Sequence, residues 1–176
     1  MKTLSFLVLF SLLLSCEQDS INEVIIGNGN ENLSITKLDP FLIIDGLNKD
    51  SLDINSDGNF DIIFTKSPKP ALTGFSTETT ISIKNNVQIL LSSINSYPDT
   101  LSYKTVVDNN SNWSKNQSST YALESFKCNS NNCPNIGNFQ NVTDKYIGFK
   151  LAKIIGWIKV DISPSEVKIK EYTIIK

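Results

Sequence analysis

The stretch YIGFKLAKIIGWIKVDISPSEVKIK (residues 146–170) alternates apolar and polar side chains in short runs separated by turn residues. Because successive side chains of a strand point to opposite faces, this pattern predicts strands over 146–151, 155–162 and 167–175. Strands joined by short links most simply form an antiparallel meander. One face of the meander would line the core: Ile147, Phe149, Leu151, Ile158, Val160, Ile162, Val167 and Ile169.

Short runs typical of β-strands also fill the chain upstream of this segment, and Gly, Pro, Asn and Asp separate them. No run shows helical periodicity except part of 87–94, where apolar residues are nearly continuous. This pattern predicts an all-β fold, an antiparallel β-sandwich of jelly-roll-like or Greek-key type with a C-terminal meander. We expect one such domain over residues 33–176. The predicted upstream strands are 33–38, 41–45, 51–55, 60–66, 79–84, 87–94, 101–107 and 120–126.

The N-terminal residues MKTLSFLVLFSLLLSC have a charged start, an apolar run too short to span a bilayer, and a closing cysteine. Residues 13–16 resemble the lipobox of bacterial lipoproteins, in which the cysteine is acylated and becomes the mature N-terminus. The resemblance implies a signal peptide over 1–15 and a lipid anchor at Cys16; the alternative is an ordinary signal peptide with a chance cysteine. The polar residues up to 32 predict a flexible tether, so 16–32 would join the lipid to the domain. We expect a bacterial envelope protein, at the outer membrane, on either its periplasmic or its surface side.

The other two cysteines, Cys128 and Cys133, flank a short polar stretch. An even number of cysteines in an exported protein predicts one disulfide. A zinc site is the alternative, but the chain has no histidine and only these two thiols beside Cys16.

The segment SLDINSDGNFDIIF (residues 51–64) is rich in oxygen-bearing side chains around a central glycine. Calcium takes six to eight oxygen ligands, and a single loop supplies most of them when acidic residues recur at alternate positions before a turn glycine. The segment resembles the DxNxDGxxD loops of dockerins and other extracellular calcium-binding repeats. The ligands would be four side chains and one carbonyl, from Asp53, Asn55, Asp57, Asp61 and, for the carbonyl, Asn59.

Phe64 stands where an EF-hand has its last glutamate, so a full EF-hand is excluded and further ligands must come from outside, with Asp45 and Asp50 nearest. The alternative is a polar hairpin turn held by Asp and Asn side chains. That alternative does not explain three carboxylates in one loop, which repel one another without a cation. We therefore expect a structural calcium ion.

Together, the Asp-rich loop and the segments YIGFK (146–150) and GWIKV (156–160) resemble a group of uncharacterised exported all-β proteins and bacterial lipoproteins. The resemblance extends over 33–176 but rests on these segments. It implies an all-β fold and no particular activity.

Four aromatic residues are candidates for a ligand-binding face. Tyr146, Trp157 and Tyr172 fall on the predicted outer face of the meander, and Trp113 lies in an Asn- and Ser-rich loop. Aromatic faces stack on sugar rings, so a surface glycan is a candidate partner. The alternative is structural: Trp157 packs across Gly148 on the next strand, or a second layer covers it.

Most catalytic arrangements are excluded by composition. Without histidine, Ser-His-Asp and Cys-His catalysis are impossible, and there is no glycine-rich phosphate loop. The chain has no arginine and no basic run, and its net charge is −2, which argues against nucleic acid. Paired carboxylates remain open as a route to glycoside hydrolysis, but the spacing singles out none. We expect a protein of binding or structural type and no enzyme, with a glycan or a surface protein as partner.

Overall fold

The computed structural model describes residues 23–46, 48–69, 76–115, 118–127 and 135–176. These residues form twelve β-strands and no helix. The strands are β1 (Val24–Ile25), β2 (Leu33–Asp45), β3 (Lys49–Leu52), β4 (Ile62–Lys69), β5 (Ser76–Ile83), β6 (Val87–Ile89), β7 (Val106–Val107), β8 (Ser119–Lys127), β9 (Asn135–Ile136), β10 (Val142–Leu151), β11 (Ile154–Ile162) and β12 (Glu166–Ile175).

Two five-stranded sheets form the sandwich. Sheet I has the strand order β2-β12-β11-β10-β6, and sheet II has the order β3-β4-β5-β8-β9. Every paired strand is antiparallel, which confirms the predicted fold class. A separate ribbon of β1 and β7 lies outside these sheets.

The main core lies between the two sheets and takes inward-facing residues from both. It includes Ile62, Phe64, Ile81 and Ile83 from sheet II. Sheet I contributes the residues that alternation predicts, and Leu151 packs at the margin. The predicted C-terminal meander is confirmed, because β10, β11 and β12 lie side by side with Ile147 opposite Ile158 and Ile162 opposite Val167.

A second core covers the outer face of sheet I. Its buried residues come from the β1–β7 ribbon, from the segments around Leu90 and Leu101, and from the outward side of β10 and β11. Sheet I is therefore buried on both faces over this area, whereas antiparallel sheets commonly face water on one side. The members are Val24, Ile26, Leu33, Leu90, Leu101, Val107, Trp113, Tyr146, Ile155 and Trp157.

The predicted tether over 16–32 is wrong for the part that the structure describes. Val24 pairs with Val107, and Ile26 is fully buried in the second core. The physical reason is that two apolar side chains, too few to stand out in a polar sequence, find a ready-made apolar surface on sheet I. The folded domain therefore includes residues 23–32; Cys16 and the signal peptide lie outside the described residues.

Other strand boundaries also differ from prediction. Residues 33–45 form one long strand with an irregularity opposite Ile169 and Glu171, although the sequence predicts two strands, 33–38 and 41–45, on either side of Pro40. Proline lacks a backbone donor and is tolerated where the ladder is interrupted. The predicted strands over 87–94 and 101–107 shrink to β6 and β7, because the chain between them turns across sheet I and makes only isolated bridges, such as Leu101 with Tyr146.

Candidate calcium loop and the aromatic cluster

The Asp-rich loop joins β3 to β4 at one edge of sheet II. Its base is closed by a hydrogen bond from the Asp61 N–H to the Leu52 carbonyl at 2.9 Å. Within the loop, Ser56 and Gly58 have φ values of 57° and 85°. Glycine adopts such angles without strain, which explains Gly58 at the sharpest part of the turn. The loop also contacts the C-terminal strand, since the Ile175 N–H donates to the Ile54 carbonyl at 2.7 Å.

Asp53 organises the loop from its first position. One carboxylate oxygen accepts from the backbone N–H groups of Asn55 and Asp57, both at 3.3 Å, and the other accepts from Gly58 at 2.8 Å. These bonds wrap the backbone around the carboxylate. The sequence pattern predicts this curvature, because short acidic side chains commonly cap their own turns.

Asp57 and Asn55 stand together at the exposed tip. The Asn55 amide donates to Asp57 Oδ2 at 3.2 Å, and the Asn59 N–H donates to Asp57 Oδ1 at 2.7 Å. The Asn59 backbone hydrogen bond is the main cause that lowers the pKa of Asp57 below its ordinary value, with a smaller contribution from the Asn55 amide. Asp57 is therefore an exposed, ionised carboxylate at neutral pH.

Asp61 differs from its neighbours because it is fully buried. Its carboxylate accepts from the Ile54 N–H at 3.0 Å and from the Asn85 amide at 2.9 Å. Each oxygen has two lone pairs, so one lone pair on each remains beyond these bonds. Asp61 thus has a structural role of its own, which the sequence pattern did not indicate.

The proposed outside ligands have local partners instead. Asp45 accepts from the Asn48 amide at 2.7 Å, and Asp50 accepts from the Ser51 N–H at 2.7 Å. For Tyr172, burial raises the pKa, and the negative charge of Asp53 raises it further. Tyr172 therefore lies within electrostatic reach of the loop.

The loop fits a calcium ion in part. Asp53, Asn55 and Asp57 present oxygen atoms within one hydrogen-bonded turn, and no described lysine forms an ion pair with Asp53, Asp57 or Asp61. Throughout the part of the chain that the structure describes, however, no three Cys, Asp or Glu side chains stand close enough together to hold a metal. Binding would require the carboxylates to converge beside Asn55 Oδ1, which accepts from the Asp57 N–H at 3.1 Å.

The prediction of an exposed aromatic face that binds a ligand is wrong. Trp157 is fully buried, Trp113 is 8% exposed and Tyr146 is 3% exposed, all within the second core. Trp157 and Tyr146 meet edge to face with their ring centroids 5.3 Å apart. The Trp157 indole donates to the Asn28 carbonyl and the Trp113 indole to the Asp108 carbonyl, both at 2.9 Å. These aromatic side chains pack between sheet I and the layer that covers it, which agrees with the alternative that a second layer covers Trp157.

The prediction that Tyr172 lies on the outer face of the meander is also wrong. It lies opposite Ile158 and packs against the main core, on the other side of sheet I from Trp157. The cause is a register shift between Lys159 and Val160, opposite which β12 carries an extra residue. A β-bulge of this kind reverses the in–out alternation of all later residues in the strand.

Sequence reasoning missed a buried ion pair between β4 and β8. Lys66 and Glu124 are each 2% exposed, with Lys66 Nζ 3.9 Å from Glu124 Oε2. The ammonium donates to the Ser163 carbonyl at 2.9 Å and to Thr79 Oγ1 at 3.2 Å, while Glu124 Oε2 has no hydrogen-bond partner among the described residues. Desolvation lowers the pKa of Lys66 and raises that of Glu124. The sequence did indicate the burial of Lys66, because Lys66 follows Ile62 and Phe64 at every second position and so falls on the core-facing side of β4.

Both predicted cysteine sites, the lipid anchor at Cys16 and the disulfide between Cys128 and Cys133, lie outside the described residues. Comparison with known protein families, with curated proteins and with solved structures found no match to this chain. Nowhere in the described ranges is there a helix that is long and apolar enough to cross a membrane.

Proposed function

We propose that this chain is a lipid-anchored protein of the bacterial envelope, of binding or structural type, whose β-sandwich is stabilised by one calcium ion. The observation that carries the proposal is the Asp-rich loop, in which Asp53 and Asp57 share one turn with no described lysine to neutralise them. A divalent cation would relieve the repulsion between these carboxylates. The chain's lack of histidine, together with the absence of any catalytic motif, supports a function without catalysis.

Asp53, Asn55 and Asp57 would supply side-chain oxygens, Asn59 its carbonyl, and Asp61 one lone pair from inside the sandwich. The ion would fasten the β3–β4 connection to the body of the domain, because Asp61 is anchored by Ile54 and Asn85. The role is therefore stabilisation of a β domain and not chemistry on a substrate.

Thermal unfolding with and without calcium tests the proposal. A ligand that binds only the folded state stabilises it by about 2.7 kcal/mol at one hundred times its Kd. For a domain of this size, that gain corresponds to a rise of roughly 5–10 °C in Tm. We expect the rise in the wild type and its loss in Asp57→Ala.

Asp108→Ala is the matched control. Asp108 also caps a turn, accepting from the Asn110 N–H at 3.0 Å and from the Ser111 hydroxyl at 2.9 Å. This variant should keep the full calcium response. If the wild-type Tm is the same in calcium and in chelator, the loop binds no calcium and is only a polar turn. The anchor has its own test, since Cys16→Ser should move the chain from the membrane fraction to the soluble fraction.

A further inference from the structure

A cleft of about 430 Å³ opens on the outer face of sheet I, beside the second core. Its floor is one cross-strand row of polar side chains running over four strands. Tyr146 on β10 lies opposite Lys159 on β11, Lys159 lies opposite Glu171 on β12, and Glu171 lies opposite Lys37 on β2. Alternation alone did not reveal this row, because the bulge in β12 brings Glu171 onto it.

Tyr103 forms one wall of the cleft. A Cβ placed on Gly27 would lie 2.3 Å from Tyr103 Cδ2, so only glycine lets the ring rest directly on the backbone there. The same Cβ would lie 3.3 Å from the Tyr146 hydroxyl, which places that hydroxyl at the bottom of the wall. Tyr103 is 55% exposed, and the Lys104 ammonium lies 5.5 Å from its ring centroid. An exposed cation–π contact of this kind is weak and is readily exchanged for another partner.

The charges of the cleft balance one another. Lys159 lies 3.3 Å from both Asp144 and Glu171, and Lys37 flanks Glu171 on its other side. Two ammonium groups and two carboxylates therefore line the cleft, with a net charge of zero. An ionic ligand would have to compete with these internal pairs, whereas hydroxyl groups both donate to carboxylates and accept from ammonium groups.

We propose that this cleft binds a neutral, hydroxyl-rich ligand, namely a hexose unit of an uncharged polysaccharide. The apolar face of the sugar would stack on Tyr103 and Ile35, and its hydroxyls would bond to the row of Lys159, Glu171 and Lys37. The inference rests on the proposed function, because it assigns a ligand class to a protein of binding type. Of the four aromatic residues first considered, this surface keeps only Tyr146, which lies in the floor of the cleft.

Affinity electrophoresis of the purified chain tests the proposal, with calcium present throughout. The neutral probes are dextran, a soluble β-glucan and a galactomannan; the acidic probe is polygalacturonate. We expect retardation by at least one neutral probe and none by the acidic one. Tyr103→Ala should weaken the retarding interaction about tenfold, as truncation of a central aromatic anchor does. Phe41→Ala removes a comparably exposed aromatic ring, 47% accessible, outside both the cleft and the calcium loop, and should leave binding unchanged.

The proposal is overturned if no neutral probe retards the chain, if Tyr103→Ala binds as well as Phe41→Ala, or if only polygalacturonate binds. Circular dichroism of both variants shows whether they are folded. Failure here is distinguishable from failure of the proposed function, because calcium-dependent Tm is measured separately and does not involve the cleft.

Discussion

Two groups of three carboxylates on this molecule are neutralised in different ways. On sheet I, Asp144, Asp161 and Glu171 share two lysines: Lys170 lies 2.9 Å from Asp144 and 2.7 Å from Asp161, and Lys159 lies 3.3 Å from Glu171. In the β3–β4 loop, Asp53, Asp57 and Asp61 have backbone and amide donors but no described lysine.

The difference shows in the pKa values. The hydrogen bond from Lys170 is the main cause that lowers the pKa of Asp144, whereas the pKa of Asp57 is lowered by a backbone N–H. Partial burial lowers the pKa of Lys170, but the hydrogen bonds to Asp161 and Asp144 outweigh it, so the pKa of Lys170 is raised. The sheet network thus brings its own cations, while the loop has only dipoles. A group of carboxylates held by dipoles alone is a place for a cation from solution, which is the basis of the calcium proposal.

The largest effect should come from Asp61→Ala, which tests the buried part of the loop independently of its exposed tip. The change leaves the buried Ile54 N–H without an acceptor, and an unsatisfied buried donor costs about 1–3 kcal/mol. We expect that loss of unfolding free energy in chelator as well as in calcium, measured by chemical denaturation. Asp57→Ala, by comparison, should cost almost nothing in chelator. Equal stability of Asp61→Ala and wild type in chelator would contradict the structural role of Asp61.

A smaller effect should follow pH through Glu124, a buried carboxylate that belongs to neither group. Its pKa is raised above 4.5 by desolvation, so above that pH the folded state binds more protons than the unfolded state. Stability from this group is therefore full below pH 4.5 and is lost as pH rises through the folded-state pKa, by at most about 1.4 kcal/mol per pH unit.

Denaturant unfolding from pH 4.5 to pH 8 in Glu124→Gln measures this dependence, because the variant removes the titrating group and its slope. Glu31→Gln, on an exposed turn, should keep the wild-type slope. A Glu124→Gln profile that matches wild type over the whole range would contradict a desolvated Glu124.

The smallest effect should come from Lys170→Met, which removes one cation from the sheet network. Lys170 makes two ion pairs and its side chain is 17% exposed; surface ion pairs contribute about 0.2–1 kcal/mol each, and salt screens them. We expect a loss of unfolding free energy within that range at low ionic strength, which shrinks in about 1 M sodium chloride. Calcium should leave this variant's deficit unchanged, because the network already has Lys159. If calcium restored the stability lost in Lys170→Met, the carboxylates of sheet I would bind a cation as the loop does, and the two groups would not differ as described.

The sandwich itself was predictable because its strands carry strict alternation. Ile147, Phe149, Ile158 and Val160 lie in the core as expected, since period-two burial needs no knowledge of the rest of the fold. The second core was not predictable in this way. Alternation assigns Trp157 to a face, but it does not say that the β1–β7 ribbon covers that face.

Two local features also escaped the sequence. The bulge in β12 moves Tyr172 to the core side and Glu171 to the cleft, and no residue type announces it. Lys66 was visible as a charged residue on a core-facing position, but its partner Glu124 lies 58 residues away along the chain and only pairing through β5 brings them together. For the loop, spacing correctly indicated its turn, while the inward position of Asp61 depended on contacts with Asn85.

Isothermal titration of calcium into the chelator-treated chain measures directly whether the β3–β4 loop holds an ion. We expect saturable binding of one ion per chain, which is lost in Asp53→Ala and Asp57→Ala and retained in Asp108→Ala and Lys170→Met. A titration without binding heat in the wild type, repeated at a second temperature, would contradict a calcium site in this loop, as would binding that survives in both loop variants.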